Sequence, residues 1–300
     1  MRILLIGKNS QIGWELQRTL APLGEVYATD SPEIDLGSVF AIRTLVRAVE
    51  PEVIINAKSF DVVDQAEKEP SQAHAINSTA PGVLAEEAHE VGAGLVHYST
   101  DYVFDGEKGS PYTEDDEPTP INVYGKSKLE GERAIIKASG SYLILRTSCV
   151  YSLRRDCFVT KVLGWAREQR TMRVVSDQVG SPSWSRMLAE ITTQMLVEAK
   201  DDLAAWLEKH TGIYHLAGSG SASHFDWARA IIENDPHKEE QVNQAVLPAR
   251  TTEFSTAAER PLYTALNCER FSTEFDLTIP PWEDALRWAL ADSRFLYLIG

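Results

Sequence analysis

The 300-residue chain is poor in cysteine, in positive charge and in long apolar runs. It has three cysteines, Cys149, Cys157 and Cys268, set far apart. That spacing fits neither a zinc site nor a disulfide framework, so a reducing compartment is expected. Lysine plus arginine total 29 against 44 aspartate plus glutamate, a formal net charge of -15. A surface this acidic repels a phosphate backbone, which excludes general nucleic-acid binding. A small anionic ligand stays open, because a local cluster of cations can oppose the global sign. No run of about 18 apolar residues occurs, so no membrane span is expected. The start, Met1-Arg2-Ile3-Leu4-Leu5-Ile6-Gly7, is too short an apolar run for a signal peptide and lacks a small-residue cleavage site. A soluble, cytoplasmic protein is the expectation. With 43% hydrophobic and 24% charged residues, the composition is that of a folded chain, not a disordered or collagen-like one.

Short apolar runs alternate with amphipathic stretches. Ile3–Ile6, Val26–Ala28, Val53–Ile55, Leu95–Tyr98 and Leu143–Leu145 read as strands. Between them, residues 11–20, 39–49, 73–91 and 123–137 read as helices. Strands apolar on both faces and separated by helices imply a parallel sheet covered on both sides. The expected fold is therefore α/β, a Rossmann-like doubly wound sheet. Beyond residue 150 the pattern loosens. Helices are expected over 158–167, 187–199, 224–233 and 282–291, and a strand over 213–216, with long polar loops over 177–185 and 247–261. No linker separates the halves. Residues 1–150 read as a dinucleotide-binding domain, and residues 151–300 as a smaller, mainly substrate-binding lobe intertwined with it.

Gly7-Lys8-Asn9-Ser10-Gln11-Ile12-Gly13 joins the first strand to the first helix. There a pyrophosphate would meet a helix N-terminus. Ser10 stands where a three-glycine turn has its middle glycine. Taken alone, the segment also reads as a tight strand-to-helix turn. Asp30 follows the second strand, where an acidic residue accepts hydrogen bonds from a ribose and repels a 2′-phosphate. It favours NADH over NADPH, with a solvated turn aspartate as the plainer reading. Asp35 and Leu36 follow, with Leu36 as an apolar cover for adenine.

Tyr124 and Lys128 lie four residues apart in Tyr124-Gly125-Lys126-Ser127-Lys128 and share a helix face. A phenol of pKa about 10 is a poor proton donor at neutral pH, and an ammonium beside it brings that value down. The same spacing also suits an ordinary exposed helix. Ser99-Thr100-Asp101-Tyr102-Val103-Phe104 follows the fourth strand, at the sheet edge where such folds bind ligands. Thr100 is placed to hydrogen-bond the carbonyl oxygen that Tyr124 protonates.

These motifs, in this order, resemble the extended short-chain dehydrogenase/reductases. Within them, the chain is similar to the dTDP-4-dehydrorhamnose reductase family. The likeness rests on Gln11-Ile12-Gly13-Trp14-Glu15-Leu16, Val62-Val63-Asp64-Gln65-Ala66-Glu67 and Asn122-Val123-Tyr124-Gly125-Lys126. It continues through Leu145-Arg146-Thr147-Ser148, Asp177-Gln178-Val179-Gly180-Ser181-Pro182, Tyr214-His215-Leu216 and Glu259-Arg260-Pro261, running from Met1 to about residue 292. It implies NAD(P)H-dependent reduction of the 4-keto group of a dTDP-activated 6-deoxyhexose, giving dTDP-L-rhamnose. By position it implies Tyr124 as proton donor, Lys128 as its partner and nicotinamide-ribose ligand, and Thr100 as the oxyanion-side hydrogen-bonder. Gly7, Ser10, Gln11, Ile12, Gly13, Asp30, Asp35, Leu36, Ser59, Phe60 and Asp61 fall on cofactor-facing positions. Val63, Asp101, Tyr102 and Cys149 fall beside the sugar, and Arg260 on a nucleotide or phosphate contact or a structural salt bridge.

The chain departs from the family pattern at several points. Lys58 and Asp61 replace a small residue and a threonine in Asn56-Ala57-Lys58-Ser59-Phe60-Asp61. Lys58 is expected to pair with pyrophosphate or to crowd it, and a buried Asp61 would repel a diphosphate. Cys149 replaces a tryptophan, which opens the sugar pocket unless Cys149 is simply a core residue. A homodimer is possible. Some relatives dimerise through a carboxylate-held metal, and Glu15 and Asp292 are acidic here, but Arg186 occupies the third position and argues against that link. Two other functions stay open: a reductase of a different nucleotide-deoxysugar, and a non-catalytic, cofactor-binding regulatory subunit.

Overall fold

The computed structural model describes residues 1–199 and 202–293. Its centre is a six-stranded, wholly parallel sheet. Five strands come from the first half: β1 (Arg2–Ile6), β2 (Glu25–Thr29), β3 (Val53–Asn56), β4 (Gly94–Thr100) and β5 (Tyr142–Thr147). The sixth, Gly212–His215, lies at the edge beside β5. Across the sheet the order is edge strand, β5, β4, β3, β1, β2. The chain reverses direction across the sheet at β1, which leaves a crevice between the loops following β1 and β3.

Alternation along each strand supplies both cores. Ile3 and Leu5 of β1 face one way and pack with Leu16, Leu20 and Leu188, under helices Gln11–Thr19 and Ser185–Glu198. Leu4 and Ile6 face the other way, against Ile42, Val46, Leu84 and Ile135. A third cluster, around Tyr151, Val162, Trp227 and Leu286, belongs to residues after 150. Those residues are thus divided, since the edge strand and helix Ser185–Glu198 complete the central sheet instead.

Two expectations need correction. The helix expected over residues 73–91 is Pro70–His74, a wide π turn at Ala75–Thr79, and then Ala80–Val91. Pro81 has no N–H to offer the carbonyl of Asn77, and the Ala80 N–H bonds instead to Ala75, five residues back. The polar loops also hold strands. Val179–Gly180 and Ser183–Trp184 are two-residue pairings, too short to show a period. Ala245–Ala249 lies parallel to Thr171–Val175, and Pro248 is tolerated because this ladder has only two strands. Among the described residues no helix is long and apolar enough to cross a membrane.

Candidate active site

The crevice at the reversal point contains a cavity of about 320 Å³. Its walls begin with Ser10, Gln11 and Ile12 on one side and Ala57, Lys58, Ser59 and Asp61 on the other. The two loops touch through bare backbone. Gly7 has φ +89°, and a Cβ on it would sit 2.7 Å from the Lys58 nitrogen. A Cβ on Gly13 would sit 2.0 Å from the Gly7 carbonyl oxygen. Both positions therefore require glycine, and neither lines the cavity. Ser10 caps the helix, its Oγ accepting the Gly13 N–H at 2.9 Å. The first turn thus brings N–H donors and the positive end of a helix dipole to the cavity wall. This backbone cradle fits a dinucleotide pyrophosphate.

The floor is made by β4 and helix Val123–Lys137, and its polar groups are interlocked. Thr100 is buried, and its hydroxyl donates to Asp101 at 3.1 Å while accepting the Tyr102 N–H. Asp101 also accepts from Ser148 at 2.7 Å and Thr264 at 2.5 Å. Burial pushes the Asp101 carboxyl up to about 6, against the pull of those three hydroxyls. Tyr102 meets the Tyr124 ring edge-on at 5.7 Å. Burial also raises the Tyr124 phenol, reinforced by the Asp61 and Asp101 carboxylates and opposed by hydrogen bonds to Thr100 and Ser59.

Lys128 is 1% exposed, and burial brings it down to about 8. Its Nζ donates to the Tyr98 carbonyl at 2.6 Å and lies 3.3 Å from His97 Nε2. The expected phenol-acidifying ammonium is therefore turned toward the strand instead of Tyr124. A buried amino group needs an acceptor for its N–H, and the Tyr98 carbonyl supplies one. Beneath, Glu132 and Arg146 form a fully buried ion pair at 2.7 Å, with Ser99 donating to Glu132 at 2.5 Å.

The other end of the crevice is built from paired charges. Asp30, buried, accepts from Lys58 Nζ at 2.7 Å and from the Asn9 and Ser31 amides. Burial raises its carboxyl, but these three donors outweigh it and hold Asp30 below the usual carboxylate range. Lys8 pairs with Glu33 at 2.6 Å. Lys58 thus meets a carboxylate of its own chain, and Asp61, which was expected to be buried, lines the cavity but is exposed.

Comparison with known proteins decides the family. The model for the RmlD substrate binding domain matches residues 1–295. The dTDP-4-dehydrorhamnose reductase of Burkholderia thailandensis is 37% identical, covering 97% of this chain and 99% of that one. The chain belongs to the dTDP-4-dehydrorhamnose reductase family. The Escherichia coli K12 enzyme of that name is 38% identical, over 94% of this chain and 95% of its own. The Bacillus anthracis family structure in complex with NADP superposes with a TM-score of 0.86 at 32% identity, covering 97% and 99% of the two chains. A Thermus thermophilus UDP-glucose 4-epimerase complex with NAD, at 18% identity and TM-score 0.77, shares the fold.

Within this family frame, the cavity gathers Ser10, Gln11, Ile12, Ser59, Asp61, Val63, Thr100, Asp101, Tyr102, Tyr124, Lys128 and Cys149. Asp30, Asp35, Leu36, Phe60 and Arg260 lie off its wall. Leu36 packs into the core with Ile42, and Asp35 accepts the Gly37 N–H. Arg260 pairs with Asp64 at 3.0 Å, which realises the salt-bridge reading. Cys149 holds an unusual φ of +46°, and burial pushes its thiol up to about 12. Glu15 sits among Arg18, Arg186 and Arg154, Arg186 pairs with Glu190, and Asp292 lies outside the described side chains.

Several positioning residues went unnoticed in the sequence. Asn77, in the π turn, accepts from the Phe60 N–H and donates to the Phe60 carbonyl and Ser127, tying the cavity loop to the Tyr124 helix. Only Pro81 hinted at it. Asn56 and His97 pair across β3 and β4, and nothing in a buried strand's pattern marks such a contact. Arg155 donates to the Asn9 carbonyl in the glycine turn.

Proposed function

We propose that this chain reduces the 4-keto group of a nucleotide-activated 6-deoxysugar with NAD(P)H, converting dTDP-4-dehydro-L-rhamnose to dTDP-L-rhamnose. One observation carries the reading: Thr100, Tyr124 and Lys128 meet in a single cavity whose wall includes the first turn of helix Gln11–Thr19.

When bound, the dihydronicotinamide supplies a hydride to the carbonyl carbon. Tyr124 gives its phenolic proton to the carbonyl oxygen, leaving a phenolate and an alcohol. Burial keeps the phenol protonated but makes it a weaker acid, so the transfer needs a cation turned toward it. Thr100 steadies the same oxygen after turning its hydroxyl from Asp101. Lys128, as an ammonium, swings from Tyr98 toward Tyr124 and the ribose, favours the phenolate and helps restore its proton. Gly7 and Gly13 let the turn close behind the pyrophosphate, with Ser10, Gln11, Ile12, Ser59, Phe60 and Asp61 around the cofactor and Asp35 and Leu36 toward adenine. Val63, Asp101, Tyr102 and Cys149 receive the sugar, and Arg260 stands near its nucleotide. Residues 1–150 serve mainly the cofactor and 151–300 mainly the substrate.

On the cofactor, Asp30 favours NADH. The Lys58 pair reduces that preference by cancelling the charge that would repel a 2′-phosphate, so both cofactors are accepted. Free thiols at Cys149, Cys157 and Cys268 suit a cytoplasmic setting. A homodimer in this reading forms without a carboxylate-held metal, in keeping with the Arg186–Glu190 pair.

The test supplies dTDP-4-dehydro-L-rhamnose with NADH or NADPH and follows nicotinamide absorbance. Oxidation tied to dTDP-L-rhamnose formation is expected. Folded protein that binds either cofactor without turnover would overturn the reading and favour a regulatory subunit.

A further inference from the structure

His97 is wholly buried at the centre of β4 and stands between two side chains, Asn56 and Lys128. Its protonation follows from its neighbours. Burial, and then the charge of Lys128, lower His97 well below its ordinary value, so the ring is neutral and carries one N–H. The Asn56 Oδ1 accepts the Lys58 backbone N–H at 3.1 Å. The amide NH₂ of Asn56 therefore faces His97 Nδ1, 3.1 Å away, and Nδ1 must accept. The ring proton is left on Nε2, which points at Lys128 Nζ at 3.3 Å.

An N–H aimed at an ammonium is a clash of donors. Aimed at a free amine, it is a hydrogen bond. Lys128 as an amine satisfies both neighbours at once, accepting from His97 and donating to the Tyr98 carbonyl at 2.6 Å. We propose that His97 is a positioning residue for Lys128: its Nε2–H docks the lysine on β4 as a free amine, and protonation releases it toward the cavity. The proposal rests on the reading of Lys128 as the partner of Tyr124. The other groups facing Lys128 favour its charge: Glu132 on its own helix, and Asp61 on the loop after β3. Glu132 is already committed to Arg146 and Ser99, and Asp61 is exposed, so the histidine opposes a weakened pull. Release of the lysine thus depends on proton uptake, and an anionic ligand in the cavity promotes both together.

Two spectroscopic readouts on the full chain, without cofactor or substrate, test this. Long-range ¹H–¹⁵N correlation reads the His97 tautomer in the unaltered protein, assigned by its loss in His97→Gln. A protonated Nε2 and bare Nδ1 are expected, and the opposite tautomer overturns the proposal. With [¹³Cε]lysine, the Lys128 resonance, assigned by its loss in Lys128→Arg, is expected to titrate near 8. In His97→Leu the midpoint should rise by about one pH unit, while His97→Gln, which keeps a donor there, should hold it low. Asn56→Asp should raise it further, because a carboxylate captures the Nδ1 proton and turns a bare Nε2 to the lysine. An unmoved midpoint in folded His97→Leu overturns the proposal. Neither readout uses hydride transfer, so a failed reductase assay and a failed titration are told apart.

Discussion

The two ends of the crevice handle charge in opposite ways. At the floor, Thr100, Asp101, Lys128 and the Glu132–Arg146 pair are buried, and desolvation moves Lys128 down and Asp101 up into a range where small changes of pH matter. At the other end, Lys58 and Lys8 are partly exposed and each holds a carboxylate, which keeps Asp30 and Glu33 low. Chemistry needs groups that exchange protons, and dryness supplies them. Recognition needs charges that stay put, and pairing supplies those. The difference also shows where a chain of net charge -15 keeps two of its crevice cations: Lys8 and Lys58 are each paired with a carboxylate of the chain.

Breaking the floor should have the largest consequence. Tyr124→Phe removes the transferable proton with no change of shape, and kcat should fall by about 10²–10⁴-fold while circular dichroism and Tm stay close to the parent. Surviving activity would shift the acid to another group. A smaller effect follows from pH. The proposed mechanism uses Lys128 as the ammonium, and burial brings it down to about 8, so kcat/KM should fall as pH rises through that value. A profile flat to pH 10 would show that the floor does not tune its lysine by burial. The smallest effect belongs to the Asp30–Lys58 end. Lys58→Ala strips the cation from Asp30, and the NADPH-to-NADH ratio of kcat/KM should drop about fivefold, worth roughly 1 kcal/mol. An unchanged ratio would separate the Asp30–Lys58 pair from cofactor choice.

Much of this was legible before any coordinates. The strands β1 to β5 and helices Val39–Val49 and Val123–Lys137 lie where apolar periodicity puts them, because burial on one or two faces writes itself into residue spacing. The cavity gathers Thr100, Tyr124 and Lys128 because each follows or adjoins an element whose register is set by that same periodicity. What the sequence does not identify is the partner each side chain takes far away in the chain. Lys58 on Asp30, Arg260 on Asp64, Asn56 on His97 and Asn77 on the Phe60 backbone join residues from 17 to 196 positions apart. No local pattern records such a choice. The Asp61 carboxylate shows the same limit from another side: its residue type signals charge, but only its exposure tells whether that charge is costly.

The buried Glu132–Arg146 pair has a consequence for how this site can change over generations. It ties helix Val123–Lys137 to β5, and the two charges compensate each other in a dry interior. Replacing one alone strands its mate, at about 3–5 kcal/mol, whereas an apolar pair of matching volume is often tolerated. That places a valley between two workable states. Variation in the reductase floor should therefore come in linked steps at positions 132 and 146, while the exposed Asp61 drifts singly.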